Sequence, residues 1–185
     1  MTAPSTDREI SVLQVRAWAR TGGLYAIIDA CDAASVPPRA QMLGDRGCVS
    51  LYKGRSEEEL WAIAPYLFVV NEMTFDWITA ELWATPWGFL ARADASLDAL
   101  RDHFRKFLTV KTPTGEQWYF RFYDPRVLKR YLDSCNATER KEFFGPASAL
   151  AMTNPETYGV TVITSSGLPE PDTGVRSGTP RISLR

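Results

Sequence analysis

The apolar residues of this chain come in short runs, each separated from the next by a turn or helix signal. Leu24–Asp29, Cys48–Tyr52, Pro65–Val70 and Trp87–Leu90 are such runs. Four to six apolar residues between turn formers match a buried strand and are too few for a core helix. The intervening stretches read as short helices. Pro37-Pro38 opens one through Leu43, the second proline being tolerated in the first turn. Ser56 followed by Glu59 has capping-box spacing. Phe75, Ile78 and Leu82 mark a helix face that breaks at Pro86. Ser96 caps the strongest helix, with Leu97, Leu100, Phe104 and Phe107 on one face. This alternation predicts an α/β fold, a mixed β-sheet with short flanking helices in a single lobe.

The remaining segments extend that plan. Ile10, Leu13, Ala17 and Arg20 predict an opening helix over 8–20, stopped by Gly22-Gly23. Residues 109–124 read as a hairpin turning at Pro113-Thr114-Gly115. Its return strand would place Phe120 and Phe122 on one face and Tyr119, Arg121 and Tyr123 on the other. Pro125 and Thr138 start two more helices, and weak strand signals follow at 148–152 and 159–163. From Ser165 on, twelve of the last 21 residues are Gly, Pro, Ser or Thr. The expected division is an N-terminal helix (1–22), an α/β domain (23–164) and a flexible tail (165–185).

Composition removes whole classes of function. The 185 residues contain one histidine, His103, so no site needing two imidazoles can be built. Cys31, Cys48 and Cys135 form no CxxC pair, which leaves neither a zinc knuckle nor a redox motif. Net charge is −1, too balanced for a nucleic-acid footprint. It conceals a bias: residues 1–95 hold 8 basic and 12 acidic side chains, and residues 96–145 hold 10 and 7. No apolar stretch is long enough for a membrane span, and the polar first residues carry no export signal. A cytoplasmic protein without membrane or nucleic-acid partners is expected.

Three groups invite a chemical reading. Asp29 and Asp32 follow an apolar strand, where α/β sheets often present carboxylates, and with Asp124 would suit metal-dependent phosphoryl transfer. Their Asp-x-x-Asp spacing and the lack of a glycine-rich phosphate loop favour a structural role instead. His103 sits mid-helix without a nucleophile elbow and reads as a packing or solvent-facing residue. Arg101, Arg105 and Lys106 lie near that helix's C-terminus, where the macrodipole favours cations. The densest segment is Tyr119-Phe120-Arg121-Phe122-Tyr123-Asp124-Pro125-Arg126. It lacks the glycines of an RNA-binding strand. Asp124 before Pro125 reads as an N-cap with proline at the first helical position. Arg121 and Arg126 are near enough in sequence to share Asp124 as an ion-pair partner.

Taken in order, several motifs form a recognisable series. They are Tyr25–Ala30, Leu51-Tyr52-Lys53-Gly54, Ala64-Pro65-Tyr66-Leu67, Trp87-Gly88-Phe89-Leu90, Leu100–Leu108, Tyr119–Leu128 and Phe143-Phe144-Gly145-Pro146. Over about residues 23–150 the chain resembles the family of domain of unknown function 4123, the effector adaptors (chaperones) of the bacterial type VI secretion system. The resemblance implies a protein that is no enzyme and needs neither cofactor nor metal. Its partners would be a toxic effector protein and a spike protein of the valine–glycine repeat (VgrG) type. It places Arg121, Asp124 and Arg126 on the family's signature, and Tyr123, Arg101 and Arg105 join them as candidate partner-binding residues. A toxin-binding, immunity-like protein is the other binding function to weigh. Many relatives continue into a longer helical C-terminal lobe, where this chain has its Gly/Pro-rich tail.

Overall fold

The computed structural model describes residues 8–111, 116–154, 157 and 159–165. Ser11 decides where the first helix begins. Its hydroxyl accepts the Gln14 N–H, and the Gln14 side chain accepts the Ser11 N–H in return. This capping box starts α1 at Val12 (Val12–Thr21) and frees Arg8–Ile10 to form strand β1. The helix expected from residue 8 therefore begins four residues later. Its buried side is Val15, Trp18 and Ala19, while Leu13 is exposed.

The following elements are β2 (Leu24–Asp29), α2 (Val36–Leu43), β3 (Cys48–Ser50), α3 (Arg55–Leu60), β4 (Pro65–Val69) and α4 (Glu72–Trp77). Then come β5 (Gly88–Ala93), α5 (Leu97–Phe104), β6 (Thr109–Lys111), β7 (Gln117–Tyr119), α6 (Pro125–Ser134), α7 (Ala137–Phe144), β8 (Ala147–Thr153) and β9 (Val160–Thr164). Short 3-10 turns, Trp61–Ile63 and Arg105–Phe107, extend α3 and α5, and a π-turn, Ile78–Leu82, extends α4. Ser96 caps α5 as expected. Ser56 does not cap α3, which starts after Gly54 without a side-chain cap. Asn136, rather than Thr138, caps α7, accepting the Thr138 and Glu139 N–H groups. The expected turn at 113–115 and the tail after Ser165 lie outside the described residues.

Seven strands make one sheet in the order β1-β9-β8-β5-β2-β4-β3, and β6 and β7 pair separately. The α/β architecture is the one the alternation implies, and all pairings among the described strands are antiparallel. Adjacent parallel strands need a long crossover, usually a helix. The α3 connection buries no residue and returns the chain to pair β3 with β4 directly.

Central strand β2 explains the layering. Its side chains alternate: Leu24, Ala26 and Ile28 enter one core with α1, α2 and α4, while Tyr25 and Ile27 enter another with α5, α6 and α7. A strand buried on both faces reads as a continuous apolar run, which is why Leu24–Ile28 contains no polar residue. Gly88 lets β5 come this close to β2, since a Cβ there would lie 1.9 Å from the Ile27 carbonyl oxygen.

Candidate protein-interaction site

The segment between β7 and α6 carries most of the sequence candidates, and the second core fixes its course. Phe122 is fully buried, stacked on Phe104 at 5.8 Å between ring centroids and edge-on to Phe143 at 5.7 Å. Phe120 packs against Tyr131 at 5.0 Å. The strand alternation stops here because the chain turns at Phe122–Tyr123. Tyr119 stays exposed, but Tyr123 is buried, its hydroxyl 3.3 Å from that of Tyr52. Burial pushes the Tyr123 phenol up from its ordinary range, and the hydrogen bond to Tyr52 adds to this.

The ion pairs of this corner differ from the expected sharing. Asp124 is saturated by Arg126: Oδ1 accepts the Arg126 backbone N–H and Nε–H, both at 2.9 Å, and Oδ2 accepts Nη2–H at 2.6 Å. The hydrogen bond from the Arg126 side chain holds the Asp124 carboxyl below its ordinary range, against an opposing effect of burial. Asp124 thus caps α6 with Pro125 at the first helical position. Arg121 turns to Asp29 instead and donates from Nη2 to Oδ2. The other Asp29 oxygen accepts the Cys31 N–H at 3.0 Å. The Asp29 side chain is 8% exposed and that of Arg121 47%. The pair therefore ties the corner to the end of β2 while leaving one side of the guanidinium open. Asp32 takes no part in it.

Arg105 does a different job. Leu51 donates its N–H to the Pro65 carbonyl at 2.8 Å, but proline has no N–H to give back. Arg105 supplies the missing donor: Nε bonds the Leu51 carbonyl at 3.0 Å, and Nη2 bonds those of Ser50 at 3.1 Å and Tyr52 at 2.8 Å. It closes part of the outer edge of β3, one way proteins blunt an exposed sheet edge. Arg101, one turn earlier on α5, pairs with Asp98 at 2.7 Å and Asp102 at 3.0 Å. Both arginines line an open cavity of about 730 Å³ between α2, β3 and α5. Arg105 also lines a neighbouring one of about 370 Å³, walled by Tyr52, Lys53, Leu108 and Tyr119.

His103 is a packing residue. Its Nε2–H donates to the Phe143 carbonyl at 2.8 Å, and its ring lies against Phe104 and Phe107. Gly145 passes directly beneath it at φ +52°, where a Cβ would come within 2.1 Å of the imidazole. This contact accounts for the glycine in Phe143-Phe144-Gly145-Pro146. Desolvation lowers the His103 pKa, opposed by the bond to Phe143. Among the described residues no group of three or more His, Cys, Asp or Glu is placed to hold a metal ion. Nor is any helix among them long and apolar enough to cross a membrane.

Sequence spacing alone did not separate the aromatic side chains of the surface from those of the core. Trp118 and Tyr119 of β7 are 60% and 65% exposed, Val110 of β6 and Trp61 rather less. Their exposure follows from the brevity of the β6–β7 hairpin, whose described three-residue strands are shorter than the 109–124 hairpin read from the sequence.

A family model, Domain of unknown function (DUF4123), matches residues 24–142. The chain belongs to this family. The DUF4123 match runs from the start of β2 into α7 and contains the Arg121–Asp29 and Asp124–Arg126 pairs, the Arg105 clamp and the exposed hairpin. The strands β1, β8 and β9, which complete the sheet, lie outside the DUF4123 match. Neither the curated proteins nor the solved structures provide a significant match to the chain.

Proposed function

We propose that this chain is a non-enzymatic adaptor of a bacterial type VI secretion system, binding a toxic effector and helping to load it onto a VgrG-type spike protein. Membership of the DUF4123 family over residues 24–142 carries the reading, together with the ordered motif series inside that span. The surface is consistent with it. Tryptophan, tyrosine and arginine are favoured anchors of protein interfaces; Trp118, Tyr119 and Trp61 stand exposed, and Trp61 and Tyr119 each line a cavity with Arg105. Asp29, the carboxylate best placed at a strand end, has both oxygens engaged by Arg121 and the Cys31 N–H.

The test is co-expression with candidate toxin and spike proteins encoded by neighbouring genes. Retention of the toxin on the tagged chain, with spike joining the complex, is the expected result. Retention of neither partner defeats the proposal. Protection of cells from the toxin without any effect on its delivery would favour the immunity-like function instead.

A further inference from the structure

The β6–β7 hairpin stands outside the seven-stranded sheet, and its register shows which backbone groups it leaves open. Thr109 pairs with Tyr119, Val110 with Trp118 and Lys111 with Gln117, while the Phe120 N–H donates to the Leu108 carbonyl at 2.8 Å. Antiparallel pairs alternate between bonded and non-bonded, so Val110–Trp118 is the bonded pair within the hairpin. The N–H and C=O groups of Gln117 and Tyr119 therefore point along the outer edge of β7. No group among the described residues pairs with these four, and all three β7 residues are exposed. Gln117 and Tyr119 share one face with Thr109 and line the 370 Å³ cavity, whose charged side chains are Lys53 and Arg105. Among the described residues of that lining there are two cations and no carboxylate. Trp118 and Val110 occupy the opposite face.

We propose that a partner protein's extended segment adds to the outer edge of β7 as a further strand, with acidic side chains over the Lys53–Arg105 cavity. This rests on the adaptor reading and specifies the chemistry of what the adaptor holds. Side chains of an added strand alternate between faces. One set lies over the cavity, where an acid meets two cations and a base meets like charge. The other set lies beside Trp118 and Val110, where apolar side chains fit. A second copy of this chain is the poorer occupant, since it would bring the same positively biased 96–145 segments together.

The test uses the full chain and a short fluorescein-labelled peptide alternating Glu and Val, with a Lys–Val counterpart, read by fluorescence anisotropy. The Glu–Val peptide should bind at least about tenfold tighter, and Lys53→Glu should erase that preference. Gln117→Pro removes an outward N–H, keeps the backbone bonds of the hairpin, loses the Gln117 Nε2–H bond to Thr109 Oγ1, and should weaken binding about tenfold. Gln117→Val loses the same side-chain bond to Thr109 but keeps that N–H, and should stay within about threefold of the parent chain. Equal affinity for the two peptides overturns the proposal, as does binding unaffected by both Lys53→Glu and Gln117→Pro. A dimer of the parent chain that Gln117→Pro abolishes also overturns it, by assigning the edge to a second copy. In co-purification, loss of the toxin by both variants supports the strip, and full retention by both rejects it while leaving the adaptor reading intact. A parent chain that captures neither toxin nor spike defeats the adaptor reading, and the peptide titration still decides the strip.

Discussion

Replacing Arg121 by Met keeps the stem of the side chain and removes the cation beside Asp29. The Asp29 carboxylate, 8% exposed, is then left with the Cys31 N–H as its remaining partner. Breaking a buried pair from one side typically costs several kcal/mol, but Arg121 is 47% exposed and water can reach the vacated position. We expect a loss of about 2 kcal/mol, which for a chain of this size is about 4–8 °C in Tm. Asp29→Asn should cost about 1–2 kcal/mol, since one acceptor remains for Cys31. The double variant should cost less than the two singles together by about 1 kcal/mol. Urea unfolding at neutral pH, followed by tryptophan fluorescence, reads all four corners of the cycle. A coupling below about 0.5 kcal/mol would refute the idea that this pair holds the corner to β2. If Arg121→Met also left stability unchanged and abolished toxin capture, Arg121 would be a partner contact.

Three other perturbations test separate parts of the fold. Arg105→Ala leaves three carbonyls short of a donor and should cost about 3 kcal/mol by urea midpoint; Arg105→Lys should restore less than half, having no planar fork. Gly145→Ala forces a left-handed backbone and drives a methyl into the His103 ring, for a loss of about 2–3 kcal/mol by thermal unfolding. Stability also depends on pH through His103, whose folded pKa lies below its ordinary value of 6.5. The unfolded chain binds the proton more readily, so this contribution is complete above about pH 6.5 and is lost as pH falls through the lower folded value. Denaturation curves at pH 7.5, 6.5 and 5.5 should show the decline, and His103→Gln should flatten it; Asp124, also lowered, adds a separate loss in stronger acid, below about 3.8.

The strands were legible because burial on both faces demands uninterrupted apolar runs, and Leu24–Asp29 was bounded to the residue. Helix starts were less so, because Ser11, Ser56, Asn136 and Thr138 all offer a capping oxygen and only tertiary packing selects among them. The Asp124–Pro125 cap was readable, being a local signal. Asp29 as the partner of Arg121 was not, because 92 residues separate them and no spacing rule links a strand end to a distant corner. The Arg105 clamp was hidden for the same reason: its cause is a proline in β4, on the strand beside the one it caps. The α/β class followed from alternation, whereas antiparallel pairing depends on a strand order in which β4 separates β2 from β3 and β2 separates β4 from β5.

The adjacency of β1 and β9 has a practical result. Arg8 sits opposite Val162, so the first residue of β1 and the last residues of β9 lie at the same corner of the sheet. That corner is on the edge farthest from β3, about 29 Å away at the usual strand spacing. A short linker joining the two ends would therefore make a circular permutant with little strain. A fluorescent protein joined directly at Arg8 or Thr164 would start from the opposite edge of the sheet to β3, beside which Tyr52 and Lys53 share a cavity with Tyr119, so capture of a partner there can be watched from the far edge.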